Sequence, residues 1–343
     1  MTIVDTLVVA VVALLADAAF GYPDRLFRLI GHPVVWIGTL IGWLDRRFNR
    51  DMVPDPRRGL NFPDASRRIK GIVSLLVLAG APTLVAWLVE RACLETLPHD
   101  AAILALGVVA GSLSAQRSLF THVRDVLHAL ERSGLGAGRT AVSLIVGRDP
   151  EALDEAGVMR AAIESLAENF SDGVVAPLLW CAVFGLPGMV FYKAVNTADS
   201  MIGHLTPRHA AFGWASARLD DLVNLPASRL SALWITLAAM VSRGASVSGA
   251  VAAVRRDASR HRSPNAGWPE AAMAGALGLS LAGPRIYDGK LVDDAWMGQG
   301  RIDAGTKHLR RALAVYRRAC MIEAAILVGL IVMAWWTAAY KVA

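Results

Sequence analysis

Charge is scarce in this chain. Asp, Glu, Lys and Arg together make up 19% of its 343 residues, against about 25% in ordinary soluble domains. Hydrophobic residues reach 55% and the mean hydropathy is +0.43. Such a balance excludes a string of water-soluble domains and points to a polytopic membrane protein. Cysteine is nearly absent as well. Cys93, Cys181 and Cys320 lie in or beside apolar segments, with no Cys-x-x-Cys pair and no His at metal spacing. That excludes a disulfide framework and a zinc site and leaves thiols packing as small hydrophobes. There is no Gly-x-x-x-x-Gly-Lys-Ser/Thr loop, so any ATP is bound without a P-loop. Gly-x-Ser-x-Gly and His-Glu-x-x-His are missing too, as are internal repeats and low-complexity stretches. The first residues, Met1-Thr-Ile-Val-Asp5, lack the basic region and cleavage site of a secretory signal, so the apolar run that follows is expected to stay as a transmembrane helix. The net charge of +6 falls between apolar segments and shows no basic–aromatic pattern. It fits membrane topology and contact with anionic lipid, and excludes nucleic acid as the expected partner.

The apolar runs are what the chain does have. Ile3–Phe20 and residues 69–89, 101–113 with flanks, 222–241 and 319–340 are candidate spans, a crossing needing about 20 mostly apolar residues. Arg46-Arg47, Arg57-Arg58 and Arg67-Arg68 with Lys70 follow the first span, whereas Arg91 is the only Lys or Arg between the second and third. The asymmetry predicts the first loop inside and the N-terminus outside. After Ala115, the series Arg117, Arg124, Arg132, Arg139 and Arg148 returns the chain to the cytoplasm. Leu119, Val123, Val126, Leu127 and Leu130 give that stretch a helical apolar stripe, interrupted at Gly134, Gly136 and Gly138. A turn at Gly147-Arg148-Asp149-Pro150 then predicts a new helix starting at Pro150. Residues 174–190 are apolar but broken by Pro177 and by Gly185-Leu-Pro187-Gly188. They read either as a kinked span or as a re-entrant pair of half-helices. Re-entry is favoured because it keeps the polar clusters on both sides of this segment in one compartment. The expected architecture is all-α, a polytopic integral membrane protein with roughly five transmembrane helices plus re-entrant or amphipathic segments and cytoplasmic helical loops. It would be one membrane-embedded domain over 1–343, with polar loops 21–68, 114–173 and 244–318 in the cytoplasm.

Dense polar clusters sit against these runs. Glu164, Glu168 and Asp172 recur every fourth residue and share one face of a helix. Three close carboxylates suit a cation such as Mg²⁺, or they form a solvated acidic face. Lys193, Asn196, Asp199 and His204 follow the broken segment. Lys193 either snorkels to the interface or binds phosphate, and His204 is a candidate acid/base group or an interfacial imidazole. Arg218 beside Asp220-Asp221 is either an internal ion pair or a carboxylate or phosphate clamp. Further on, Pro264 and Pro269 stiffen a loop presenting His261, Arg262, Asn265 and Glu270. Near the N-terminus, Asp17, Asp24 and Arg25 flank Gly21-Tyr22-Pro23, ahead of His32-Pro33-Val-Val-Trp36-Ile-Gly38. This reads as a membrane-exit turn with a structural role.

These blocks together resemble the CobD/CbiB family of cobalamin-biosynthesis membrane proteins. The resemblance is carried by Asp17 to Gly38, Val146-Gly-Arg-Asp149, Glu164 to Pro177, Tyr192 to His204, Phe212 to Asn224 and Arg256-Asp257-Ala to Pro284, in order along nearly the whole chain. It implies a multi-pass ligase of the cell (inner) membrane, of the adenosylcobinamide-phosphate synthase type, with a cytoplasmic active site. Such an enzyme joins the propionate carboxylate of adenosylcobyric acid, its corrinoid substrate, to 1-amino-2-propanol or its O-phosphate. Amide formation near neutral pH needs activation, so ATP as co-substrate and Mg²⁺ are expected. On this reading Glu164, Glu168 and Asp172 hold the metal, and Glu168, His204 and His261 are catalytic. Lys193, Asn196, Asp199, Arg218, Arg262 and Asn265 bind substrate or phosphate. Other late corrin-pathway enzymes are candidate partners beside the lipid bilayer. The alternative is an AmpE-like membrane sensor, or a solute-binding or transport protein, without ligase chemistry. Polar groups gathered at a membrane boundary fit catalysis better than a path through the midplane.

Overall fold

The computed structural model describes residues 1–49, 65–147, 150–287, 290–292 and 294–340. Arg57-Arg58 and the Arg148-Asp149 pair of the expected turn lie outside the described residues. The all-α polytopic class holds: among the described residues seven helices are long and apolar enough to cross a membrane. The sequence led to roughly five spans. The two added are Asp24–Phe48, inside what was read as a polar loop, and the long stretch Glu155–Ile202. In the first of these the apolar residues after Pro33 are masked in the sequence by Arg25 and Arg28 before them and Arg46-Arg47 behind. The single domain expected over 1–343 takes the form of two compact units. One comprises residues 1–114, 177–223 and 330–343, the other 115–176 and 224–329.

In the first unit, helix α1 (Ile3–Phe20) begins with a reciprocal cap: Asp5 N–H donates to Thr2 Oγ1 at 3.2 Å, and Thr2 N–H to the Asp5 carboxylate at 2.7 Å. Helices α2 (Asp24–Ile30), α3 (Pro33–Phe48), α4 (Ala65–Thr96) and α5 (His99–Gly111) follow. Helix α5 packs on α1 through Gly107 and Gly111, a small-xxx-small pair. A methyl on Gly107 would lie 2.4 Å from the Val12 side chain, and one on Gly111 would lie 3.0 Å from the Ala13 carbonyl. Lipid supplies no hydrophobic drive between helices, so close backbone approach of this kind supplies the contact energy. Ile37, Ile41 and Leu44 of α3 and Leu78 of α4 share a buried cluster with Ala194, Ala198 and Ile202 of α8 (Ala176–Ile202) and with Phe212.

Helix α8 is not straight. Gly185 takes φ 69°, ψ −157°, a region open essentially to glycine alone. The arms fold back on each other, so that a methyl on Gly188 would lie 2.4 Å from the Trp180 carbonyl oxygen. Along a straight helix eight residues span about 12 Å. The break expected within 174–190 therefore falls at Gly185, between two helical arms.

The second unit contains α6 (Gln116–Ser143), which turns at Gly134 with nearly the same backbone angles, φ 78°, ψ −169°. It also contains α7 (Glu155–Phe170). Helix α7 starts after the expected Pro150. Leu153 N–H donates to the Pro150 carbonyl in a turn, and Asp154 then caps the helix through a 2.6 Å bond from Gly157 N–H. A π-type turn, Ser171–Val175, leads from α7 into α8. Helix α9 (Trp214–Met240) enters this unit at Asn224 and is followed by α10 (Val247–Asp257) and α11 (Gly267–Leu277). Leu281–Ala282 pairs antiparallel with Trp296–Met297, and Arg285–Tyr287 with Lys290–Val292. The last helix, α12 (Thr306–Tyr340), seats the Tyr316 ring on Phe170 at 5.5 Å and donates its hydroxyl to the Gln116 carbonyl at 2.8 Å.

Gly185→Ala should destabilise the protein by about 1–3 kcal/mol, since its backbone angles and the nearby Glu90 carboxylate both exclude a methyl. Gly136→Ala, with nothing within 4 Å, should be neutral or slightly stabilising. Thermal unfolding of the two variants in detergent is the comparison; equal midpoints would refute the corner.

Candidate functional site

The candidate residues fall in both units. In the first, α8 carries Lys193, Asn196 and Asp199 on its last turns, and α9 begins with Arg218, Asp220 and Asp221. Asn196 Nδ2 donates to Asp220 Oδ1 at 3.2 Å, and Asp220 is buried. Asp199 lies within electrostatic reach of Asp221 and His204. Its carboxylate packs on Gly203, where a methyl would come 1.9 Å from it. Arg218 is exposed and sits 3.8 Å from Asp221. Asn196 with Asp220, and Asp199 with Asp221 and His204, link the end of α8 to the start of α9. The sequence did not point to His32. Its Nδ1 accepts the Val34 N–H at 3.2 Å, its ring packs at a tilt against Tyr22 with centroids 4.3 Å apart, and it bonds to the Ser112 backbone within reach of the Lys193 charge. The N-terminal block read as a structural turn therefore places a fixed imidazole beside a candidate phosphate-binding lysine.

The loop after α8 is held by a second network. Arg208 donates to Asp45 at 2.6 Å, and His209 Nε2 stands 3.5 Å from the same carboxylate. Asn49 Nδ2 donates to Asp45 at 2.7 Å and accepts from Arg67 through its own Oδ1 at 2.6 Å. Arg67 also donates to the Arg208 carbonyl. Burial holds the His209 imidazole below its ordinary value; Asp45 opposes the shift, while Arg208 and His204 reinforce it.

In the second unit Glu164, Glu168 and Asp172 separate. Glu164 is buried and accepts the Ala282 N–H at 2.9 Å. Ala282 is the one residue other than glycine, among those described, with positive φ, at 58°. Glu164 thus holds a strained turn. Glu168 is exposed and Asp172 half-buried, at the end of α7 and on the π-type turn that shifts the helical phase beyond Ser171. Among the described residues no three of His, Cys, Asp and Glu gather as a metal-holding group. The three-carboxylate set is not brought together, and Mg²⁺ takes one or two protein carboxylates beside nucleotide phosphates, so the candidates to hold it are Glu168 and Asp172.

The downstream block is tied into the fold. His261 accepts the Ser263 N–H at 3.1 Å and stands 3.9 Å from the buried Glu270. Asn265 is buried, its Oδ1 accepting from Ser228 and Arg229, each at 3.1 Å. Arg229 also lies over the Trp268 ring at 4.4 Å. Of His261, Arg262, Asn265 and Glu270, Arg262 is the exposed one. Two further groups escaped the sequence reading. Glu323 is buried in α12 with no hydrogen-bond partner for Oε2 among the described residues. An open cleft of about 470 Å³ has Ser118 and His122 of α6 on one side, Ile145, Val146 and Gly147 on another, and Ser165 and Asn169 of α7 on a third. Its volume lies in the range of about 300–1,000 Å³ typical of small-molecule sites. Its walls join the blocks at Val146-Gly147 and at Glu164 to Asp172, distant in sequence.

A family model described as CobD/Cbib protein matches residues 10–316. The chain belongs to the CobD/Cbib family. Among curated relatives, cobalamin biosynthesis protein CobD of a Sinorhizobium species is 49% identical over 320 residues, covering 93% of this chain and 96% of its own. The protein of the same name from Rhodobacter capsulatus is 46% identical over 325 residues, covering 95% and 97%. That of Brucella suis is 44% identical over 338 residues, covering 95% and 98%. No solved structure matches.

Two outcomes test this geometry. Glu164→Ala should lower stability by about 1–3 kcal/mol, because it strands the buried Ala282 N–H, whereas Glu168→Gln should not. Equal unfolding midpoints would contradict the assignment. The second concerns pH. The folded value of His209 lies below its unfolded value of 6.5, so its contribution is complete above that value and is lost as pH falls toward the folded one. Hydrogen exchange in residues 203–213 should quicken on acidification in the wild type and respond less in His209→Gln.

Proposed function

We propose that this chain is an acid–amine ligase of cobalamin biosynthesis. It joins the propionate carboxylate of adenosylcobyric acid to the amine of 1-amino-2-propanol or its O-phosphate. The relatives named as cobalamin biosynthesis proteins match it over nearly their full length, which supports the role in that pathway. The observation that carries a small-molecule site is the cleft, whose walls bring two separated family-like blocks together. A carboxylate does not condense with an amine unaided, so the acid is activated by ATP, most simply as an acyl phosphate. Glu168 and Asp172 would hold Mg²⁺, which neutralises phosphate charge when bound.

In the first unit Lys193 offers a cation for phosphate, with His32 fixed nearby. Asn196 and Asp199 orient polar substrate groups there, and exposed Arg218 and His204 are available to anions and protons. In the second unit Arg262 faces solvent and would contact anionic substrate groups, while His261 and Asn265 hold their loop. We place the reaction at the cytoplasmic face of the cell membrane, where ATP is supplied and other late corrin-pathway enzymes can pass substrate.

Purified protein incubated with adenosylcobyric acid, ATP·Mg and either amine form should yield the amide, detected by mass spectrometry. Glu168→Gln should reduce the yield by at least about 100-fold while leaving membrane insertion intact. Folded protein that gives no amide with either amine would overturn the reading in favour of a sensor or solute-binding protein.

A further inference from the structure

We propose that the cleft of the second unit is the amine subsite and that His122 Nε2 takes the amine proton; this rests on the amide-forming reading above. The cleft is selective by what its side chains have left to offer. His122 Nδ1 lies 2.7 Å from the Ser118 carbonyl oxygen. A carbonyl only accepts, so Nδ1 carries the hydrogen, and in the neutral ring Nε2 is left as an acceptor. Ser165 Oγ donates to the Ile145 carbonyl at 2.7 Å, and Ser118 Oγ to the Ala115 carbonyl at 3.2 Å. Both hydrogens of Asn169 Nδ2 are used, toward the Ser165 carbonyl at 2.9 Å and Ser165 Oγ at 3.2 Å. That bonding fixes the amide orientation and leaves Oδ1 as the acceptor.

The side-chain donors lining the cleft are thus spent on the protein. Acceptors remain: the serine hydroxyl lone pairs and, carrying no hydrogen of their own, the pair His122 Nε2 and Asn169 Oδ1. Among the described residues that line the cleft there is no Lys or Arg. Phosphate and carboxylate need donors or cations and find neither in these side chains. A primary amine supplies two or three N–H donors and matches the pair. At neutral pH an alkylamine is mostly protonated and cannot attack a carbonyl, so the subsite must also accept a proton. Of these acceptors only the imidazole can do so near neutrality. As the amine nitrogen bonds to the activated acyl carbon, the bond from that carbon to the leaving phosphate oxygen breaks. His122 Nε2 takes the ammonium proton before attack and passes it to solvent at the open side of the cleft, and the second N–H proton leaves with the departing phosphate.

The test uses the full chain purified in detergent, with 1-amino-2-propanol as probe. Saturation-transfer NMR reads binding, and the mass-spectrometric assay reads amide formation across pH. His122→Gln should lower kcat by about 10²–10⁴-fold, with a smaller change in KM, and should abolish the acidic limb of the pH–rate profile. Asn169→Leu should raise KM for the amine about tenfold, as expected for one lost hydrogen bond. Asp125→Asn, exposed on the same helix, should behave as wild type. Wild-type kcat and pH profile in His122→Gln, or an undiminished amine signal in the double variant, would overturn the proposal. If the amide forms and both variants match wild type, the subsite is wrong and the ligase reading stands. If no amide forms but the amine signal is lost in the double variant, the subsite stands and the ligase reading falls.

Discussion

At Gly185 the chain turns inside an apolar stretch, and the Glu90 carboxylate of α4 accepts the Leu186 N–H that the turn exposes. A backbone that breaks its helix at membrane depth must find partners within the protein, because lipid offers none. An acid on a neighbouring helix meets that requirement and complements the positive end of the arm that begins there. The direction of this arm decides where Lys193, Asn196 and Asp199 come to lie, since they follow on the same helix within about four turns. A side chain at 185 would meet both unfavourable backbone angles and the acid itself, so the polar cluster of the first unit depends on a residue that carries no chemistry.

The sequence made the ends of this arrangement legible and left its hinge ambiguous. The first helix could be read to the residue, since Thr2 and Asp5 form a capping box and Gly21 stops the helix. The break near Gly185-Leu-Pro-Gly was visible as well, because those residue types interrupt helices wherever they fall. Whether the arms fold back depends on Gly188 meeting the Trp180 carbonyl, a long-range contact that no local pattern records. Glu90 escaped notice for the same reason: it stands alone at the end of an apolar run, and only the fold brings it to Leu186. The span within Asp24–Phe48 was hidden differently, by arginines that flank its apolar face and made the segment look like a loop.

At the sites the sequence recognised groups more reliably than roles. Spacing alone puts Asn196 and Asp199 on one face, and α8 bears that out. It could not show His32 approaching Lys193, which are far apart along the chain. His122 looked like an ordinary member of an amphipathic helix, because its neighbours Val123, Val126 and Leu127 carry the apolar stripe. Its distinction comes from the walls opposite, which only the packing of α6 against α7 brings near.

The acids of the second unit show why carboxylate density overstates chemistry in an apolar chain. Glu164 accepts the Ala282 N–H, Asp257 accepts the Gly298 N–H at 2.9 Å while bonding Arg256, and Glu270 stands beside His261. All three acids are buried, and Ala282, Gly298 and His261, which they face, all lie outside the helices. A loop packed into a protein interior exposes backbone donors that an apolar core cannot satisfy, and a buried acid meets that need where a helix or sheet cannot reach. Glu168 shares the spacing of Glu164 but not its burial. Along one helical face, the step from buried to exposed separates an acid that shapes the protein from one that faces solvent.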